Sequence, residues 1–203
     1  MTAGQRLARL ATTAVAASPA LWPVFRPLVR REFDRLAPTW DARRSPGRLE
    51  AYEAALARVH EPPARALDVG TGTGDGALAL ARRWAAAEVV GVDVAEEMLA
   101  QARAKTPPEL AGRVRFVAGD AARLPFADAS FDLVALANMI PFARELARVL
   151  RPGGQLVVAF SLGPQTPIYV PLRRLRRILE RHGLAELEEV RAGKGEALVA
   201  RRR

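Results

Sequence analysis

Three carboxylates carry the first chemical signal in this sequence. Asp68, Asp93 and Asp120 each close a short β-rich run, in Leu67-Asp68-Val69, Val92-Asp93-Val94 and Phe116-Val117-Ala118-Gly119-Asp120-Ala121. The first lies just before Gly70-Thr71-Gly72-Thr73-Gly74-Asp75-Gly76, a turn of alternating glycines that leads into a helical pattern. Gly70, Gly72 and Gly74 suit a turn on which a ligand lies close to the backbone, because a Cβ there would collide with it. Dinucleotide and phosphate sites use similar turns, so the acid decides between them. A carboxylate beside a pyrophosphate is repelled, whereas one facing the ammonium of an amino-acid moiety is attracted. Asp93, 19 residues after Gly74, can accept both hydrogen bonds of a ribose diol. Asp120 is placed to receive an adenine amino group and ring edge.

The elements that must position these acids follow from periodicity. From residue 65 onward, β-rich runs alternate with helical stretches, the pattern of βαβ units and a mainly parallel sheet. Strands are expected at Arg65–Val69, Glu88–Asp93, Val114–Val117, Phe131–Leu136 and Gln155–Phe160. Helices are expected near Gly76–Trp84, Ala95–Lys105, Phe142–Leu150 and Leu172–Arg181. Arg151-Pro152-Gly153-Gly154 reads as a turn. The runs Leu184–Val190 and Glu196–Ala200 flank a Gly-rich loop and read as a hairpin. The expected fold class is α/β: a Rossmann-like seven-stranded sheet with helices on both faces and a C-terminal antiparallel hairpin. Ligands bind at the carboxyl ends of strands in such sheets, so the three acids converge on one crevice.

The segments LDVGTGTGDGA, VVGVDVAEEMLAQAR, VRFVAGDAARLPFADASFDLV and ELARVLRPGGQLVVAF cover about residues 64–162. In order and spacing they resemble class I S-adenosylmethionine (SAM)-dependent methyltransferases of the small-molecule type, related to the quinone-biosynthesis methyltransferases. The upstream phrase Glu32–Asp41, EFDRLAPTWD, also resembles this group, where it often lies over the cofactor. The resemblance implies SAM as cofactor and a role for each matching position. Gly70, Gly72 and Gly74 would line the methionine part, and Asp68 would anchor its amino end. Asp93 would hold the ribose and Val94 would pack on the adenine. Asp120 would accept from the adenine amino group beside the Ala121 backbone NH. Leu136 to Asn138 would border the methyl group, and Trp40 would either close the site from above or serve as an ordinary buried aromatic.

Two departures from the family pattern matter. Ala95 stands where relatives often have a Ser that caps the second helix. The segment Asn138 to Phe142 is short where relatives place a longer loop and an extra helix, so the acceptor pocket should be open or completed by the N-terminal helices. No catalytic side chain is assigned; His60, His182, Tyr52 and Tyr169 are the available bases.

Composition bounds the partners. Half of the 203 residues are hydrophobic and none is Cys, which supports a packed core and excludes disulfides and thiolate metal sites. The net charge of +9 is concentrated at the two ends. Residues 1–48 hold nine Arg against three acids, and residues 171–203 hold ten basic against five acidic residues. A solvated basic face explains this better than a nucleic-acid surface, since the basic stretch Leu172–Arg181 lacks interleaved aromatics. Residues 10–25, LATTAVAASPALWPVF, are uncharged but shorter than the roughly 20 residues of a spanning helix and contain Pro19 and Pro23. They imitate a signal peptide, yet a cytoplasmic protein is expected, with this segment packing on the domain or touching a membrane surface.

The domain division expected is therefore 1–60 as a helical extension or cap and 61–203 as the SAM-binding domain. The acceptor expected is a small, hydrophobic or aromatic molecule. An RNA- or protein-directed methyltransferase, a non-catalytic SAM-fold protein and a nicotinamide-dependent oxidoreductase are the alternatives. Asp68 and Asp120 argue against the last.

Overall fold

The computed structural model describes residues 3–43 and 47–203. Five buried apolar runs form the parallel part of the sheet: β1 (Arg65–Val69), β2 (Glu88–Asp93), β3 (Val114–Ala118), β4 (Phe131–Ala137) and β5 (Leu150–Phe160). The central residues of β1, β2, β4 and β5 are covered on both faces, which is why they read as near-continuous Val, Leu and Ala, whereas the edge strand β3 is only partly buried and carries Arg115. Two further strands, β6 (Leu184–Ala192) and β7 (Gly195–Arg202), form the hairpin. The strand order is β3-β2-β1-β4-β5-β7-β6, and β7 is the one antiparallel member.

Helices α1 (Ala3–Ala17), α2 (Trp22–Leu36) and α3 (Glu50–Leu56) precede the sheet. The crossover helices are α4 (Asp75–Arg83), α5 (Glu96–Ala104), α6 (Pro108–Ala111), α7 (Ala143–Val149) and α8 (Leu172–Glu180). On one face of the sheet, α7 and α8 cover Leu67, Val69, Val90, Val134 and Leu156, together with Val15 of α1 and Trp22 of α2. On the other, α3 and α4 cover Ala66, Val89, Leu133 and Val157. Tyr52 of α3 is fully buried there, so this helix packs as part of the sheet's layer although it precedes residue 60. Five of the expected strands grow on folding, β4 by one residue to Ala137. Strand pairing carries β3 on to Ala118, the hairpin strands reach Ala192 and Arg202, and β5 starts at Leu150. The Arg151–Gly154 turn becomes an irregularity inside that strand, with the pairing to β4 jumping from Phe131–Leu150 to Leu133–Gln155.

The order reverses between β1 and β4, so the loops after these strands splay apart at their carboxyl ends and open a crevice. The connection from β3 to β4 crosses the same end. It is held by Arg148 of α7, whose guanidinium donates to the Leu124 and Phe126 carbonyls and pairs with Asp128 and Glu145. Glu145 in turn accepts from the Leu124 backbone NH at 2.8 Å. This network fixes the path of the segment that carries Asp120.

Candidate cofactor and acceptor site

The glycine turn is built around β2. The NH groups of Gly70 and Thr71 donate to the Val92 carbonyl at 2.8 and 3.0 Å. The Gly72 NH donates to Asp93 Oδ2 at 2.8 Å, and the Ala95 NH to Oδ1 at 2.9 Å. Asp93 therefore clasps the turn after β1 and holds the residue that leads into α5, while the first-turn NH that a Ser at position 95 would cap, that of Glu97, donates to Asp34 instead. A carboxylate has roughly four lone-pair sites, so both oxygens keep acceptor capacity. Burial raises the pKa of Asp93, opposed by the hydrogen bonds from the Ala95, Gly72 and Val94 backbone.

Asp68 is held at the base of the glycine turn. It lies behind the turn, 3% exposed. Its Oδ2 accepts from the Thr71 hydroxyl at 2.6 Å and its Oδ1 from the Tyr52 hydroxyl at 3.2 Å, and the Ala77 backbone also donates to it. These bonds brace the loop from within the protein. Burial pushes its carboxyl up to about 6, with the Thr71, Tyr52 and Ala77 hydrogen bonds pulling the other way.

The stability consequence has a definite sign. The unfolded chain releases this proton near pH 4, the folded chain near pH 6, so the folded state holds more protons in between. Stability from this group is full below about pH 4 and is lost as the pH rises to about 6, by roughly 3 kcal/mol. Urea titrations across this range should show Asp68→Asn gaining on the wild type by about that amount, with no further gain above pH 7. A difference independent of pH would show that Asp68 ionises normally.

Asp120 sits just past β3, beneath α2. Its Oδ1 accepts from Trp22 Nε1 at 2.7 Å and from the Ala122 NH at 2.9 Å, and its Oδ2 pairs with Arg26 at 3.0 Å. Trp22 also packs edge-on against Phe142, with ring centroids 5.3 Å apart. The N-terminal helices thus close the side left open by the short Asn138–Phe142 segment. A groove of about 600 Å³ remains between Val94, Gly119 and Asp120 on the sheet side and Arg26, Arg30 and Asp34 on the α2 side. Ala121 and Leu136 are buried beside it.

At the end of β4, Asn138 adopts a left-handed conformation with φ of 53°. Its side-chain oxygen accepts from the Ser161 NH at 2.9 Å and the Ser161 hydroxyl at 3.0 Å. Met139 follows, and a Cβ on Gly70 would lie 2.8 Å from the Met139 side chain. The turn after β1 and the turn after β4 therefore meet at Gly70.

The segment Glu32–Asp41 runs across α5 and the outer part of the glycine turn. Asp34 accepts from the Glu97 NH at 3.2 Å, and Asp41 accepts from the Thr73 hydroxyl at 2.6 Å. Lys105 bridges Asp41, Thr73 and Asp75 at 2.8, 3.0 and 2.6 Å. Trp40 packs edge-on against Phe33 in a small cluster with Ala37, Ala95 and Met98. Sequence reasoning missed Trp22, Arg26 and Lys105. A signal existed for Lys105, one of only two lysines in a chain with 31 basic residues.

The available bases are not poised at this crevice. Tyr52 is fully buried against Asp68, which raises its pKa well above the usual value through burial first and the Asp68 charge second. Tyr169 donates to Glu196 at 2.5 Å and is pushed up to about 12 by burial. The His60 backbone bonds Gln155 near the amino ends of the strands, and His182 follows α8. Among the described residues no group of metal-binding side chains is present.

The groove also fits the adenosyl group that the sequence resemblance implies: Asp93 retains acceptors for a diol, while Val94, Gly119 and Asp120 form an apolar wall with an acidic edge. A seven-stranded sheet in this order, with an acid clasping the glycine turn from β2, defines a Rossmann-like domain of the class I methyltransferase type. The family description "Methyltransferase domain" matches residues 66–154. A demethylmenaquinone methyltransferase from Thermus thermophilus is 48% identical over 119 residues, 55% of this chain and 52% of the relative. The ubiquinone/menaquinone biosynthesis C-methyltransferase UbiE of Syntrophotalea carbinolica is 36% identical over 168 residues, 74% of this chain and 69% of that protein. A SAM-dependent methyltransferase from Aquifex aeolicus superposes with a TM-score of 0.66 at 23% identity, covering 85% of this chain and 97% of that one. The chain belongs to the ubiquinone/menaquinone C-methyltransferase family of class I SAM-dependent methyltransferases. It spans between 52% and 65% of the length of the first three curated relatives it matches.

Proposed function

We propose that this chain transfers a methyl group from SAM to a ring carbon of a small, apolar quinol-type acceptor. The observation that carries the cofactor half is Asp93, which ties the turn after β1 to the end of β2 and keeps acceptors free for the ribose. The acceptor half is supported by the names of the relatives and by the apolar cover that Val15, Trp22, Ile140 and Phe142 form at the end of β4.

In this reading Asp93 holds the ribose diol and Val94 packs on the adenine. Asp120 and the Ala121 NH meet the adenine edge, with Trp22 and Arg26 fixing the carboxylate's orientation. Gly70, Gly72 and Gly74 lie along the methionyl part, with Asp68 bracing that turn from behind. Leu136 and Asn138 border the reacting carbon. SAM, when bound, supplies an activated methyl on a sulfonium. The residues need mainly to align acceptor and donor and to exclude water, a contribution that reaches effective molarities of about 10⁵ M in aligned reactions. Tyr52 and Tyr169 are held protonated, so neither takes up a proton; the ring proton displaced as the methyl group passes from sulfur to the ring carbon is released to water. An apolar acceptor also places the protein at the membrane periphery, although no helix among the described residues is long and apolar enough to cross a bilayer.

The test is incubation with methyl-labelled SAM and a short-chain demethylnaphthoquinol under reducing conditions, with product detection by mass spectrometry. The expected result is a ring-methylated quinol together with S-adenosylhomocysteine. Label appearing only in RNA or protein would replace the acceptor. Failure to bind either adenosyl ligand in isothermal titration would overturn the reading.

A further inference from the structure

The strongest feature outside the crevice is the outer face of the N-terminal helices. Leu10, Leu21, Val24 and Leu28 are the exposed large aliphatic side chains among the described residues, at 66%, 41%, 68% and 52%. All four belong to α1, α2 or the turn that joins them.

Helical spacing sorts α2 into three faces. Trp22, Phe25, Val29, Phe33 and Leu36 point inward and pack on the sheet's helical layer or on α5. Arg26, Arg30, Arg31 and Asp34 line the groove. Leu21, Val24, Leu28 and Arg35 share the remaining side, with Arg31 at its border with the groove, at steps of three and four; Arg35 is exposed and pairs with Glu32 at 2.7 Å. That outer stripe is aliphatic in its first half and basic in its second. The inward face already satisfies the fold, so the outer aliphatics contribute nothing to the core.

We infer that this outer stripe docks the protein on an anionic lipid surface. The aliphatic half enters the boundary between headgroups and acyl chains, and the arginines meet lipid phosphates, the division of labour of an interfacial helix. Charge favours lipid over a second copy. Residues 1–48 carry nine Arg against three acids, so two such faces brought together would repel, whereas an anionic bilayer attracts each. Docking requires no departure of α2 from the core, because Trp22 and Arg26 can keep hold of Asp120 while the opposite side meets lipid. The inference deepens the reading of an apolar acceptor, which partitions into the bilayer that the helix would touch.

Co-sedimentation of the full chain with phosphatidylcholine vesicles, with and without about one-third phosphatidylglycerol, tests it in the absence of SAM or acceptor. Binding is expected to the anionic vesicles and to weaken with salt. The Leu21→Ser/Val24→Ser/Leu28→Ser variant should lose it by roughly tenfold or more, while its circular dichroism spectrum and melting temperature stay at the wild-type values and show that it is folded. Equal binding to neutral vesicles, unchanged binding of the triple variant, or no binding at all would overturn the inference. A dimer in sedimentation equilibrium that the triple variant abolishes would assign the face to a second copy instead. Because no cofactor enters the assay, failure here leaves the methyl-transfer reading standing, and failure of methyl transfer leaves this one standing.

Discussion

Asp93→Ala is expected to raise the dissociation constant for SAM at least about a hundredfold. Hydrogen bonds to a charged acceptor contribute about 1.5–3 kcal/mol each, and two ribose hydroxyls would lose theirs. A loss of roughly 3 kcal/mol is a factor of about a hundred in affinity. The damage extends beyond the ligand, since the NH groups of Gly72 and Ala95 lose their acceptor at the same time. The turn after β1 is then no longer tied to β2 through this side chain. Asp93→Asn keeps the shape and one oxygen, and should fall between wild type and Ala. Isothermal titration of the three proteins checks this. An Ala variant that binds SAM within about fivefold of wild type would remove Asp93 from the ribose position.

Gly76→Ala is expected to destabilise the protein by about 3 kcal/mol, which lowers the melting temperature by roughly 10 °C for a chain of this size. A Cβ at Gly76 would stand 2.6 Å from both oxygens of Asp68 and 2.8 Å from its Cγ. The carboxylate cannot retreat, because it is buried at the end of β1 and held by the Thr71 and Tyr52 hydroxyls. Helix propensity alone would make the same change favourable by up to about 1 kcal/mol, so the sign of the effect decides whether the contact is real. Introduced into Asp68→Ala, the substitution should cost little, a coupling that a double-mutant cycle reads directly. A melting temperature unchanged by Gly76→Ala would mean that Asp68 sits elsewhere.

These two residues show how the turn works. Asp93 holds it from the crevice side and Asp68 from the protein side, so the same short loop is pinned by carboxylates from two neighbouring strands. The two acids are not equivalent. Asp68 is enclosed by protein donors, and its carboxyl rises to about 6. Asp93 accepts one backbone NH on each oxygen and so keeps further acceptor capacity.

The alternation of apolar runs and helical patterns determined the sheet and its crossovers. Strand content is written locally in Val-, Leu- and Ala-rich segments buried on both faces. The positions of Asp68, Asp93 and Asp120 at strand ends were equally legible, as was the hairpin that completes the sheet with β7 antiparallel to β5. What each carboxylate faces was decided only by the tertiary structure. Asp120 is taken up by Trp22 and Arg26, 98 and 94 residues away in the chain. Asp68 is met by Tyr52 from a helix that the domain division had set apart from the sheet. Gly74 fits closely against Phe116 and Ala102, with a Cβ position 2.9 and 3.0 Å from them, a packing contact that the turn's sequence does not show. The physical reason is common to all three. Periodicity reports which way a residue turns relative to its own neighbours, while a hydrogen-bond partner or a packing clash depends on how elements distant in sequence come to lie side by side.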